Sequence, residues 1–112
     1  MAINCYITYK SKKQSACILV IAPDEYITHW RKPVVQLSLE LPLSDEYYAI
    51  MDTQADFVHQ LLNELSTLKT YLANQPEKTG KPDLIIGRID DCTRLLQKAL
   101  ENWSEVEEIV LG

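Results

Sequence analysis

The chain has 112 residues, of which 46% are hydrophobic and 24% charged, and sixteen acids against eleven Lys and Arg give a formal charge of −5. That length suits one domain with a core of its own and no need for disulfide staples. The acidic balance repels nucleic acid and anionic membrane and favours encounter with basic proteins, and no apolar run approaches the roughly 20 residues that span a bilayer.

The first third reads as strands. Ile3–Tyr9 alternates, with Ile3, Cys5, Ile7 and Tyr9 on one face, and is rich in β-branched and aromatic residues. KSKKQS, polar and basic, suits a hairpin loop whose lysines blunt edge pairing. Ala16–Ala22 is a continuous apolar run, as in a strand covered on both faces, and Pro23 and Asp24 end it. DEYITHWRK fits either a short strand or a loop folding Tyr26 and Trp30 onto the core. VVQLSLEL (Val34–Leu41), bracketed by Pro33 and Pro42, alternates as a strand with Val35, Leu37, Leu39 and Leu41 inward and Gln36, Ser38 and Glu40 toward water.

The remainder reads as helices. At about 100° per residue, Tyr47, Ile50, Met51, Ala55, Phe57, Val58, Leu61, Leu62, Leu65, Leu68 and Leu72 share one side. The phase predicts one long helix over Asp45–Ala73 with Ser44 as N-cap. The alternative makes EYYAIM a strand and starts the helix at Thr53-x-x-Asp56, a capping pattern. After the turn-rich NQPEKTGKP, Ile85, Ile89, Cys92, Leu96, Ala99, Leu100 and Trp103 recur at helical spacing and predict a second helix over Asp83–Ser104. DLIIG fits a short strand as well, and EVEEIVLG fits a helix extension or an edge strand. Leu61, Leu65, Leu96 and Trp103 are the expected meeting points of helices and sheet. The order implies an α+β fold: an N-terminal antiparallel sheet of about three strands packed against a C-terminal antiparallel helix pair. Residues 1–112 form a single domain, with 1–43 mainly strands and 44–112 mainly helices.

Chemical signatures are few. Asp52, Asp56, His59 and Asn63 share a helical face, but it lies opposite the core stripe, where any helix on a sheet needs polar residues. His29 and His59 have no second histidine or cysteine at zinc spacing. Cys5, Cys17 and Cys92 contain no CxxC pair and are expected as reduced, apolar core residues. KTGKP lacks the first glycine of a phosphate loop, and KSKKQS has no interleaved aromatics for single-stranded nucleic acid. The expectation is a protein without catalytic residues, metal or other cofactor. The start MAINCYITYK lacks a basic segment followed by an apolar one, so no signal peptide is expected and the expected location is cytoplasmic.

The aromatics suggest more. Tyr26, Trp30, Tyr47 and Tyr48 lie in or beside PDEYITHWRKP and LSDEYYAIM, among Asp24, Glu25, Asp45 and Glu46; aromatics among acids suit a surface aimed at a basic protein. The candidate partner-binding residues are Asp45, Glu46, Tyr47, Tyr48, Asp52 and Asp56, with Glu105, Glu107 and Glu108 as a second patch. The acidic clusters PDEY, LSDEYY, MDTQAD, IDDC and SEVEE on one compact chain give it a general character that resembles the small acidic immunity proteins of bacterial toxin systems, particularly those of contact-dependent growth inhibition. The resemblance implies a cytosolic inhibitor that covers the active site of a basic, nuclease-type toxin domain. The alternatives are a domain that self-associates through its helix pair and, third, a small enzyme.

Overall fold

The computed structural model describes residues 3–11, 16–39, 48–50, 55–74 and 81–111. They form an α+β fold in which helices cover one face of an antiparallel sheet. β1 (Ile3–Tyr9) and β2 (Ala16–Ile21) make the expected hairpin. β3 (Tyr48–Ile50) and β4 (Val106–Leu111) complete a sheet of order β2-β1-β4-β3, with every neighbour antiparallel. The sheet is therefore not N-terminal alone. β4 lies between β1 and β3, so the VEEIVL part of EVEEIVLG is an internal strand and neither a helix extension nor an edge.

The segment after β2 overturns two expectations. DEYITHWRK is neither strand nor loop but a π-helical turn, Ile27–Arg31, that runs directly into α1 (Lys32–Gln36). Pro23 and Asp24 do end β2, but they also begin this helical segment. Proline and glutamate at its first and third positions are helix-starting chemistry: the Glu25 backbone N–H donates to the Ala22 carbonyl (3.0 Å), and the Glu25 carboxylate accepts the Ala22 N–H (2.9 Å). The Lys32 N–H reaches back to the Ile27 carbonyl, five residues earlier. This wider turn precedes Pro33, which has no N–H to continue a regular helix.

The predicted strand Val34–Leu41 is likewise corrected. Val34 and Val35 belong to α1, which ends in a left-handed C-terminal motif: Ser38 has φ 57°, its N–H donates to the Val35 carbonyl, and the Leu39 N–H donates to the Val34 carbonyl. Val34 and Leu39 are buried, Leu37 is half-buried, and Val35 faces water at 58% exposure. The reason is a competing helical period: Tyr26, Trp30 and Val34, four residues apart, all enter the core. Glu40 and Leu41 lie outside the described residues. The described residues of 1–43 thus form two strands followed by a helical segment.

The long helix Asp45–Ala73 is also corrected. Its first part contains β3, and α2 runs Ala55–Ala73; the alternative with a strand in EYYAIM is the observed one. What selects it is non-local: Tyr48, Ala49 and Ile50 pair with Leu111, Val110 and Ile109 of β4. α3 (Lys81–Glu101) takes in DLIIG as helix. Gly87 lies exposed within this helix, and nothing lies within 4 Å of where its Cβ would be. Val58, Leu61, Leu65, Leu68 and Leu72 of α2, with Ile85, Ile89, Cys92, Leu96 and Ala99 of α3, form the buried stripes. They meet Ile3, Cys5, Ile7, Tyr9, Val20, Ile21, Val106 and Ile109 of the sheet in one core. Trp103 is only partly buried, because α3 ends before it and a 3-10 turn, Trp103–Glu105, leads into β4.

Candidate binding surface

With helices on one face, the other face of the sheet is where side chains stand free of the core. Strand register defines it. Tyr6 lies opposite Cys17 on β2 and Val110 on β4; Asn4 lies opposite Leu19; Thr8 lies opposite Glu108. Residues directly opposite across an antiparallel pair project to the same face, and these alternate with the core residues Cys5, Ile7 and Ile109. Tyr6 and Leu19 are each 40% exposed, Cys17 is exposed and Val110 is half-buried. This corrects the expectation that β2 is covered on both faces and that all three cysteines lie in the core. It leaves an aromatic and aliphatic centre on the open face.

Acids border that centre. The register of β1 against β4 shifts between Thr8 and Tyr9, so that Thr8 faces Glu108, Tyr9 faces Val106, and Glu107 is the extra residue of a bulge. Glu107 is exposed and Glu108 half-buried. Glu105, exposed in the preceding turn, accepts the Lys10 N–H at its backbone carbonyl (2.8 Å). The second acidic patch named from sequence thus sits at one end of the open face. On the core side of β1, burial raises the Tyr9 phenol above its ordinary value.

Of the first patch, Asp45, Glu46, Tyr47 and Asp52 lie outside the described residues. Tyr48 is placed in β3 by its backbone pairing. Asp56 is exposed in the first turn of α2, and His59 and Asn63 are exposed further along the same helix. Asp56 is therefore on the helical layer, and Glu107 and Glu108 are on the sheet.

The other polar groupings serve the fold. Glu25, at 1% exposure, pairs with Arg88 of α3 (2.5 Å) and ties the start of the π-helical turn to that helix. Sequence reading placed Glu25 among surface acids; its pairing depends on a residue far along the chain and leaves no local signal. Lys69 of α2 bridges to Asp90 of α3 (2.6 Å), and Arg94 pairs with Asp91. A depression of about 400 Å³ along α3 is lined by Arg88, Asp90, Asp91 and Arg94, with Asp83, Leu84 and Gly87. Its two arginines and Asp90 and Asp91 are all engaged in ion pairs. An open groove of about 350 Å³ is bounded by Leu37, Ser66, Thr67, Thr70 and Tyr71. There the Thr67 and Thr70 hydroxyls donate to the Asn63 and Ser66 carbonyls, and the Tyr71 hydroxyl donates to Gln36 (3.0 Å). Buried His29 donates its backbone N–H to the Glu25 carbonyl (2.9 Å). Among the described residues, no three His, Cys, Asp or Glu side chains converge as metal ligands, and no helix is long and apolar enough to cross a membrane.

Compared with known proteins, the chain matches no family model, no curated protein and no solved structure.

Proposed function

We propose that the protein is a non-catalytic binding module that docks a basic protein through the open face of its sheet. The observation that carries this reading is that exposed Tyr6 and Leu19 share the open sheet face with Glu108, which lies opposite Thr8 at one end of it beside the Glu107 bulge. An apolar, aromatic centre supplies buried contact area, and bordering carboxylates select cationic partners and speed their encounter. The net charge of −5 acts in the same direction over a Debye length of about 8–10 Å near physiological salt. In the form suggested by the resemblance to bacterial immunity proteins, the partner is a nuclease-type toxin domain in the cytoplasm. The carboxylates would then pair with Lys and Arg that otherwise hold substrate phosphates. Gene context discriminates this form: a neighbouring reading frame for a large secreted protein with a variable C-terminal domain favours it.

One observation favours a second reading, self-association through the helical layer. Ile27 and Val35 are 60% and 58% exposed on the helical segment preceding β3, and Leu84 is 49% exposed on α3. A mass that rises with concentration, and falls back to one chain in Val35→Ser, would support it. The leading reading is tested by capture of partners on immobilised protein, followed by competition with Tyr6→Ser and Glu107→Lys/Glu108→Lys variants. Loss of a captured partner with either variant supports docking through the sheet; retention with both argues against it.

A further inference from the structure

β2 is the outer strand in the sheet order β2-β1-β4-β3, and among the described residues it pairs with β1 alone. α3 packs on its core face. An outer strand keeps a row of backbone N–H and C=O groups directed away from the sheet, a template for a further strand. Charged side chains or a proline on the strand commonly blunt such an edge, and ACILVI contains neither. The register of β1 against β2 shifts between Ile3 and Asn4, so Val20 is the extra residue and residues 16–19 pair regularly. We propose that this edge is an interface between two copies of the chain, in which the two β2 strands pair antiparallel and join the two sheets into one.

Such a pair is two-fold symmetric and needs a strand complementary to itself. Centred on Ile18, it uses the regular stretch and sets Cys17 of each copy opposite Leu19 of the other. Residues directly opposite share a face, and these two are the exposed side chains of β2, Leu19 at 40%. Two apolar contacts form on the open face, while half-buried Ile18 meets its own copy on the helical side. Charge sets the direction. Lys10, Lys12 and Lys13 precede β2 in the sequence, and exposed Asp24 follows it. A parallel copy would bring the lysines together; an antiparallel copy brings the basic start of each strand toward the acidic end of the other.

The two-fold axis runs perpendicular to the sheet, so both helical layers lie on one side and both open faces on the other. Pairing at the edge leaves Tyr6 and Glu108 uncovered, and this inference does not rest on the docking proposal. It also uses none of Ile27, Val35 and Leu84, the residues of self-association through the helical layer. Cys17 is a built-in reporter, because it is exposed whereas Cys5 and Cys92 are buried. In the register centred on Ile18 the Cα atoms of the two Cys17 residues are offset by about 7 Å along the strands and about 4.8 Å across them. That separation is too wide for a direct disulfide and within reach of a short bis-maleimide.

The experiment measures the mass of the full chain by sedimentation over a range of concentrations. The expected mass rises from one chain to two and stops there. Cys17→Lys/Leu19→Lys sets like charges opposite each other twice and should leave one chain. Cys17→Lys/Leu19→Glu sets opposite charges together and should restore the pair. Both positions are exposed in the free chain, so circular dichroism should show the fold intact in each variant. If a variant does not fold, the folded wild-type chain treated with the short bis-maleimide replaces it; the expected product is a covalent dimer linked through Cys17. A single-chain mass at every concentration, a mass that grows beyond two chains, or no link through Cys17 overturns the proposal. So does a dimer that persists in Cys17→Lys/Leu19→Lys or is lost in Val35→Ser, since the interface would then lie elsewhere.

Discussion

The Glu25–Arg88 pair makes an asymmetric prediction. Glu25 is the dry partner, with 1% of its side chain exposed, whereas 23% of the Arg88 side chain reaches solvent. Removing Arg88 takes a guanidinium away from a buried carboxylate; removing the Glu25 charge leaves a guanidinium that can turn toward water. Breaking a buried pair from one side costs about 3–5 kcal/mol, so Arg88→Met should lie within that range. Glu25→Gln keeps an amide oxygen to accept the Ala22 N–H and lets Arg88 hydrate, and should cost about 1–2 kcal/mol. The double variant should be less destabilised than the sum of the singles, because the buried charge is gone together with its guanidinium. Urea unfolding of all four proteins at one pH and salt concentration completes the cycle. Equal losses in the two single variants, or strict additivity in the double, would refute the assignment of Glu25 as the desolvated member that fixes the helical segment to α3.

Other consequences can be read from single variants. Leu65→Ala removes a fully buried side chain from the stripe of α2 and should cost about 2–5 kcal/mol in urea unfolding; a wild-type midpoint would mean that the helical phase is wrong. Ser38 holds a left-handed conformation at φ 57°, so Ser38→Gly should raise stability by up to about 1 kcal/mol, whereas a clear loss would show that the serine side chain contributes more than the strain costs. Because the folded Cys92 thiol is held well above its ordinary value, it stays protonated where the unfolded thiol ionises. Its contribution is complete below about pH 8.5, the value for an unfolded cysteine, and is lost as pH rises from there through the folded value. Stability measured across that window should fall less steeply in Cys92→Ala, and an unchanged slope would assign the loss to other groups.

The parts of this fold that were legible in the sequence are those set by local periodicity. Ile3, Cys5, Ile7 and Tyr9 alternate and form the core face of β1, and the stripes Leu61–Leu65–Leu68–Leu72 and Ile85–Ile89–Cys92–Leu96 mark α2 and α3. The missed parts are those in which two patterns compete or the deciding contact is remote. Val35, Leu37 and Leu39 alternate like a strand, yet Tyr26, Trp30 and Val34 have helical spacing and larger side chains to bury. The helix end at Ser38 carries no glycine to announce it. Tyr47 to Leu72 keeps one helical phase, but Tyr48–Ile50 gains backbone partners only because β4 returns to the sheet about sixty residues later. The acidic content of Glu105, Glu107 and Glu108 was visible from composition. Their position at the Thr8–Lys10 end of β1 was not, since it depends on the register of β1 against β4.

Docking of a basic partner through the open sheet face is tested most directly by association kinetics with a captured partner at several salt concentrations. Wild type, Glu107→Lys/Glu108→Lys on the sheet and Asp56→Lys on α2 would be compared. The predicted result is an on-rate for wild type that falls steeply with salt, a large loss of on-rate and of salt dependence in the sheet variant, and near wild-type behaviour in Asp56→Lys. An undiminished on-rate in the sheet variant, with the loss confined to Asp56→Lys, would contradict the account and move the interface to the helical layer.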